Sequence, residues 1–398
     1  TGWQPQWVMI KRMDGTGKWA MFDKMRGITS AASPETDGDD AFLVANETTA
    51  ETNNTQYIDL TAKGFTPGST DVAVNSNNAD YMYLCIRDLD GYVTPAPEVG
   101  TDVFAMDTGS SSSTIPEWDS GFPVAFGMFK KTNATQDWYA SARLLQGNVI
   151  YPSNSDEEDG FGDAAFDSNV GWGKSSSGTY GSSYQSWMWK KSKGFTAIAY
   201  PGTGRLPTAI VHNMNNTPEM VWIKRRDYTG KNWVVGHIGL NGGTNPFTKY
   251  LNLNDSAHEA DSNSMFSDTA PTSEILTLGS DNLVNAGSAE YVAFLFASVD
   301  GISKCGYYTG NSGTQTITVG FQPRFLIIKK TSSGQDRNWY VLDTTQGWGS
   351  GNDDFLELNQ NSSQSSADLG APTSTGFTLT NTDGTNGSGN NYIYYCHA

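Results

Sequence analysis

The side chains able to do chemistry are few, and their spacing gives them little of it to do. Four histidines, His212, His237, His258 and His397, stand singly along the chain. None lies in the His-Glu-x-x-His spacing that sets two imidazoles on one helix face for zinc. The three cysteines, Cys85, Cys305 and Cys396, are too sparse and odd in number for a disulfide framework. Cys85 and Cys396 sit inside the apolar runs Tyr81-Met82-Tyr83-Leu84-Cys85-Ile86 and Tyr392-Ile393-Tyr394-Tyr395-Cys396, where a thiol reads as a small core residue. There is no Gly-x-Ser-x-Gly nucleophile elbow. Gly202-Thr203-Gly204 lacks the following Lys-Ser/Thr of a phosphate-cradling loop.

Oxygen chemistry offers more candidates. Two acidic clusters, Asp37-Gly38-Asp39-Asp40 and Asp156-Glu157-Glu158-Asp159, could supply calcium ligands through Asp37, Asp39, Asp40, Asp156, Glu158 and Asp159. Neither completes the twelve-residue calcium loop, so the simpler reading is solvated turn acids. Calcium is the one cofactor the sequence raises. A glycosidase carboxylate pair is defined by space, and nothing selects two of the 42 acids. The expectation is a protein that is not an enzyme. Four aromatics in polar or Gly/Ser-rich loops, Trp118, Trp172, Tyr180 and Trp348, are the carbohydrate-binding candidates. A loop tryptophan can stack on a sugar or on another chain, or plug the end of its own sandwich.

The elements that would position these residues recur. An apolar strand opened by proline and closed by two basic residues reads Pro5-Gln6-Trp7-Val8-Met9-Ile10-Lys11-Arg12. It returns as Pro218-Glu219-Met220-Val221-Trp222-Ile223-Lys224-Arg225 and as Pro323-Arg324-Phe325-Leu326-Ile327-Ile328-Lys329-Lys330. Pro123-Val124-Ala125-Phe126-Gly127-Met128-Phe129-Lys130-Lys131 is a weaker copy. A tryptophan follows each proline by 14 to 16 residues, after a polar turn: Trp19, Trp138, Trp233 and Trp339. Strand, tight polar turn and strand make a hairpin. An aromatic strand closes each copy, starting at Tyr81, Tyr291 and Tyr392, with only Trp187-Met188-Trp189 in the second. Self-similarity at roughly a hundred residues marks a repeat architecture. We divide the chain at 1–94, 95–193, 194–301 and 302–398, the second module being diverged.

A half-exposed strand alternates apolar and polar residues. The proline-opened strand does not: Trp7 and Met9 point one way, Val8 and Ile10 the other, and all are apolar. Such a strand is covered on both faces. One face packs on a second sheet, and the other meets a loop, a neighbouring module or another chain. Helical spacing is not sustained, apart from a possible turn at 31–37. The expected fold class is all-β, with tandem β-sandwich modules of jelly-roll or lectin-like type. Thr94-Pro95-Ala96-Pro97 reads as a stiff linker. The third and fourth modules join almost without linker, as in a rod or plate.

Composition narrows the partners. The chain has 398 residues, 37% apolar, 17% charged and 12% aromatic, enough bulk to bury cores. Its net charge of −17 repels phosphate backbones and anionic membranes, so neither nucleic acid nor membrane is an expected partner. No run approaches the roughly 18 apolar residues of a membrane-spanning helix. No signal peptide is visible, and Thr1-Gly2-Trp3 enters the repeat almost at once, as expected of a piece of a longer polypeptide.

Gly320-Phe321-Gln322-Pro323-Arg324-Phe325-Leu326-Ile327-Ile328-Lys329-Lys330, Asn338-Trp339-Tyr340-Val341-Leu342-Asp343 and Asn386-Gly387-Ser388-Gly389-Asn390-Asn391-Tyr392-Ile393-Tyr394 resemble repeat modules of marine and cyanobacterial tailed-phage structural proteins. Those are usually classed as tail fibre or other virion appendage proteins. The resemblance covers the third and fourth copies well, the first fairly and the second poorly. It implies a structural subunit of a virion appendage or surface fibre, extracellular, assembling with virion proteins or with copies of itself and in contact with host-surface glycan. It transfers no catalytic role. The alternatives are a secreted or cell-surface bacterial carbohydrate-binding array and an appendage polysaccharide depolymerase.

Overall fold

A computed structural model describes residues 5–23, 26, 40–52, 57–61, 64–87, 99–145, 147–174, 180–380 and 384–398. The possible turn at 31–37, the linker at 94–97 and the acids Asp37 and Asp39 lie outside the described residues.

The fold is all-β, built of multiple antiparallel sheets paired into sandwiches. The proline strand of each copy lies between two partners. On one side is the tryptophan strand reached by the hairpin. On the other is the aromatic strand that closes the module. In the third copy the proline strand Met220–Arg225 pairs with Val234–His237 and with Glu290–Phe296. In the fourth, Phe325–Lys330 pairs with Tyr340–Asp343 and Asn391–His397. In the second, Phe126–Lys131 pairs with Tyr139–Ala142 and Tyr184–Trp189. In the first, Pro5–Arg12 pairs with Trp19–Asp23 and Tyr81–Arg87. Copies three and four extend this to the same six-stranded order, with entry strands Phe195–Pro201 and Ser303–Thr309 at one edge. A smaller second sheet lies behind each main one: Ile58–Thr61 with Gly64–Pro67, Trp118–Asp119 with Gly171–Trp172, Thr208–Val211 with Ile275–Leu278, and Gln315–Thr318 with Gly376–Leu379.

The start of the aromatic strand is fixed by its first tyrosine. The hydroxyls of Tyr81, Tyr291 and Tyr392 each accept a 2.8 Å hydrogen bond from the backbone N–H five residues earlier, at Ser76, Ala286 and Gly387. This pins the preceding turn against the strand it feeds. The one α-helix among the described residues is the single turn Asn263–Phe266, capped by the Ser262 side chain.

The strands are indeed covered on both faces in copies two, three and four. Their outer faces fill three separate cores, around Phe129 and Met188, around Val221 and Leu295, and around Leu326 and Tyr392. Their inner faces fill one common core holding Phe126, Met128, Met220, Trp222, Phe325 and Ile327. Three sheets thus face one another across shared apolar packing. The rod or plate expected from the short linkers is replaced by closure of three modules onto each other. A short linker fixes orientation but does not choose its direction; the second apolar face does. The first copy keeps its own core, around Val8, Ile10, Phe22 and Phe42.

Candidate assembly surface

The hairpin tryptophans lock the closed set. Each is buried, and each donates its indole N–H to a backbone carbonyl of the next copy. Trp138 of copy two bonds to the Glu357 carbonyl of copy four at 3.0 Å. Trp339 of copy four bonds to the Asn252 carbonyl of copy three at 3.0 Å. Trp233 of copy three bonds to the Tyr151 carbonyl of copy two at 3.0 Å, which closes the cycle. A second cycle runs beside it through backbone amides. Gln364 N–H donates to the Thr132 carbonyl, Glu158 N–H to that of Arg226, and Glu259 N–H to that of Thr331. The three seams are therefore chemical copies of one another, and three modules use up every seam.

The acceptor is positioned by a side chain two residues beyond it. Asn254 and Asn359 accept the backbone N–H of Trp233 and Trp339 through Oδ1, at 3.0 and 2.9 Å. Ser153 Oγ accepts from Trp138 N–H at 3.2 Å. Asn46 Oδ1 accepts from Trp19 N–H at 2.9 Å. The sequence reading missed these four residues. The signal was there in Leu43-Val44-Ala45-Asn46, Leu251-Asn252-Leu253-Asn254 and Leu356-Glu357-Leu358-Asn359, three strand ends that finish on asparagine.

A buried lysine guards each seam. Burial pulls Lys130, Lys224 and Lys329 down to about 8, opposed mainly by the charges of Asp137, Asp156 and Asp336 respectively. Their ammonium groups also donate to backbone carbonyls. Lys130 Nζ reaches that of Asn361 in copy four at 3.3 Å, and Lys329 Nζ that of Ser256 in copy three at 2.6 Å. The Arg226 guanidinium of copy three makes a two-pronged ion pair with Glu158 of copy two, at 2.8 and 3.1 Å.

The register carries this face onto copy one residue by residue. Lys11 faces Met82 and Trp19 across the sheet, as Lys224 faces Val292. Met9 faces Leu84 as Trp222 faces Phe294, and Trp7 faces Ile86 as Met220 faces Phe296. In copy three these positions are buried. In copy one, Met82, Leu84 and Ile86 are 42%, 54% and 49% exposed, and Trp7, Met9, Trp19 and Met21 are half-buried. Among the described residues, copy one carries the same face on four strands, with no entry strand beside Tyr81–Arg87, and this face stands exposed.

The residues singled out for sugar contact lie in the interior. Trp118, Trp172, Tyr180 and Trp348 are all at least 96% buried, so none offers a ring face to a ligand here. Trp118 lies on Phe129 with centroids 4.7 Å apart, and on Trp172 and Tyr180. The Trp172 indole N–H donates to Ser186 Oγ at 3.0 Å. A Cβ on Gly127 would lie 2.3 Å from the Trp172 ring, which is why this strand has glycine where copies three and four have Val221 and Leu326. Tyr180 donates to Asp163 at 3.1 Å, and the Trp348 indole donates to the Gly370 carbonyl at 2.9 Å. The four aromatics finish the outer cores of copies two and four.

The acids separate likewise. Asp40 is buried and accepts the backbone N–H groups of Tyr57 and Ile58 at 2.6 and 2.7 Å. Glu158 is held by Arg226, while Asp156 and Asp159 are exposed. Among the described residues, no three or more His, Cys, Asp or Glu side chains converge as a metal-ligand set. His237 and Asp343 occupy one register position, facing Met220 and Phe325. Each ties its copy to a neighbour, His237 through the Tyr394 carbonyl at 3.2 Å and Asp343 through the Trp187 indole at 3.0 Å. Among the described residues no helix is long and apolar enough to cross a membrane.

Fold and seam define the class: an all-β protein of repeated sandwiches, three of them closed by a cyclic interlock. The chain belongs to the family described as "Domain of unknown function (DUF7483)", which it matches over residues 1–88 and 161–398. The unmatched stretch holds the diverged proline and tryptophan strands of copy two. No curated protein matches the chain.

Proposed function

We propose that the protein is a structural subunit of a bacteriophage virion appendage or surface fibre, acting outside the cell by assembly with virion proteins or with copies of itself. The observation that carries the assembly reading is that one repeated face is a fastening surface: its tryptophans Trp138, Trp233 and Trp339 bond copy to copy within the chain, and copy one presents the same face open. Here the polar atoms of the repeated face hold copies together, and the recurring residues are fasteners. The placement on a virion rests on the resemblance of the repeated motifs to appendage modules. The carbohydrate-binding array and the depolymerase draw no support from the loop aromatics, which are consumed in cores.

Negative-stain electron microscopy of the full chain tests the reading. The expected images are of multimers with defined symmetry. A compact single chain that persists at high concentration would sink it.

A further inference from the structure

We infer that copy one binds the copy-one modules of two further chains, forming between chains the closed threefold set that copies two to four form within one. This rests on the assembly reading above and names its partner: two more copies of this same chain.

The argument starts from what the first copy keeps. It retains the donor, the Trp19 indole, at the place of Trp233 and Trp339. It retains the acceptor, the Val44 carbonyl, two residues before Asn46, where Asn252 and Glu357 precede Asn254 and Asn359. It retains the seam lysine, with Lys11 Nζ on the Arg12 carbonyl at 2.7 Å as Lys224 Nζ is on that of Arg225 at 2.8 Å. Even the flanking ion pair recurs, Arg12 with Asp14 and Arg225 with Asp227, both at 2.7 Å. At the other edge of the same sheet, beyond Pro5–Arg12, lies the apolar face of Met82, Leu84 and Ile86, left exposed.

The set formed by copies two to four cannot supply the complement. Each of its three tryptophans already has its carbonyl, and its inner faces are buried in one core. A face shaped for this seam therefore finds its match on the same face of another chain. Because one copy's donor side meets the next copy's acceptor side, the contact is head-to-tail. Head-to-tail contacts close only when the rotation divides a full turn. Within the chain, the same contact closes at three. In the intermolecular set, Trp19 Nε1 donates to the Val44 carbonyl of the next chain, and Leu84 lies against the shared interior where Phe294 and Tyr395 lie in copies three and four.

Multi-angle light scattering on the full chain, at tens of micromolar in moderate salt, reads the outcome. The expected mass is three times that of the chain. Leu84→Asp, at an exposed position, is expected to give single chains with unchanged circular dichroism. Trp19→Phe removes only the donor and some ring area. It is expected to raise the trimer dissociation constant roughly a hundredfold, three hydrogen bonds at about a factor of five each. An assembly of another size, or a trimer indifferent to both substitutions, overturns the copy-one seam and leaves the assembly reading standing. Single chains at every concentration overturn both.

Discussion

His237 shows how one residue's protonation state is set by where the chain closes. Its Nδ1 accepts the Gly239 N–H at 3.0 Å, so Nε2 carries the proton and donates to the Tyr394 carbonyl in copy four. A second proton would set N–H against N–H. Burial agrees with this geometry and pulls the imidazole down to about 3, with the Tyr394 carbonyl opposing. His397, buried between Phe104 and the inner core near the Arg324 guanidinium, is likewise pulled to about 3. The folded value lies below that of the unfolded chain, so this contribution is whole above about pH 6.5 and drains away as pH falls toward 3. By pH 4 each histidine should have cost roughly 3 kcal/mol. Urea unfolding from pH 7 to pH 4 should show the loss, and His237→Gln should have a visibly flatter profile whatever its stability at pH 7. Equal slopes would contradict a neutral, buried imidazole. Along the sequence His237 and Asp343 each stand four residues after their copy's hairpin tryptophan, so the position does not demand an imidazole and reads as structural. The spacing could not show the partner, because Tyr394 lies 157 positions away.

At the scale of the element, the proline-opened strand was the most legible feature. Apolar residues on both its faces imply two coverings, and copies two to four have them, one in their own sandwich and one in the common core. What the strand could not reveal was which of loop, neighbour or other chain supplies the second. Copy two was hard to read for a separate reason. Its strand gave up a side chain at Gly127, and Trp172 from a distant segment fills that volume, so the apolar mass moved out of the repeat. The loop aromatics were ambiguous by the same mechanism. Their polar sequence neighbours left both a sugar stack and an end plug open, and their burial matches the plug, as large rings at a sandwich end are usually core. The tryptophan strand carries a direct test. Trp233→Phe removes the indole donor and leaves the Tyr151 carbonyl only the Asn154 N–H, at a cost of about 0.5–1.5 kcal/mol in urea unfolding. Trp19→Phe in a Leu84→Asp background, where the seam is open to water, should change stability far less. Equal costs at the two positions would mean that the indole N–H contributes nothing to closure.

The whole molecule combines two kinds of closure with a net charge of −17. Copies two to four are joined within one chain, so their association costs no loss of translational freedom, and their unfolding cannot depend on concentration. Copy one has a separate, smaller core and a seam that other chains must complete. Its stability follows mass action, since anything that binds only the folded module stabilises it. Bringing three acidic chains together also opposes itself through repulsion that salt screens within about 10 Å at 0.1 M. Calorimetry should therefore resolve two transitions. The lower, from copy one, should rise by roughly 5 °C for each tenfold increase in concentration, from mass action and the usual unfolding entropy of a domain this size. It should rise again as salt increases from low to moderate, while the upper transition stays fixed with concentration. Leu84→Asp should abolish the concentration dependence of the lower transition and leave the upper one unmoved. A single transition for the whole chain would mean that copy one is held by the closed set after all, and a concentration-dependent upper transition would mean that the set of three is not closed within the chain.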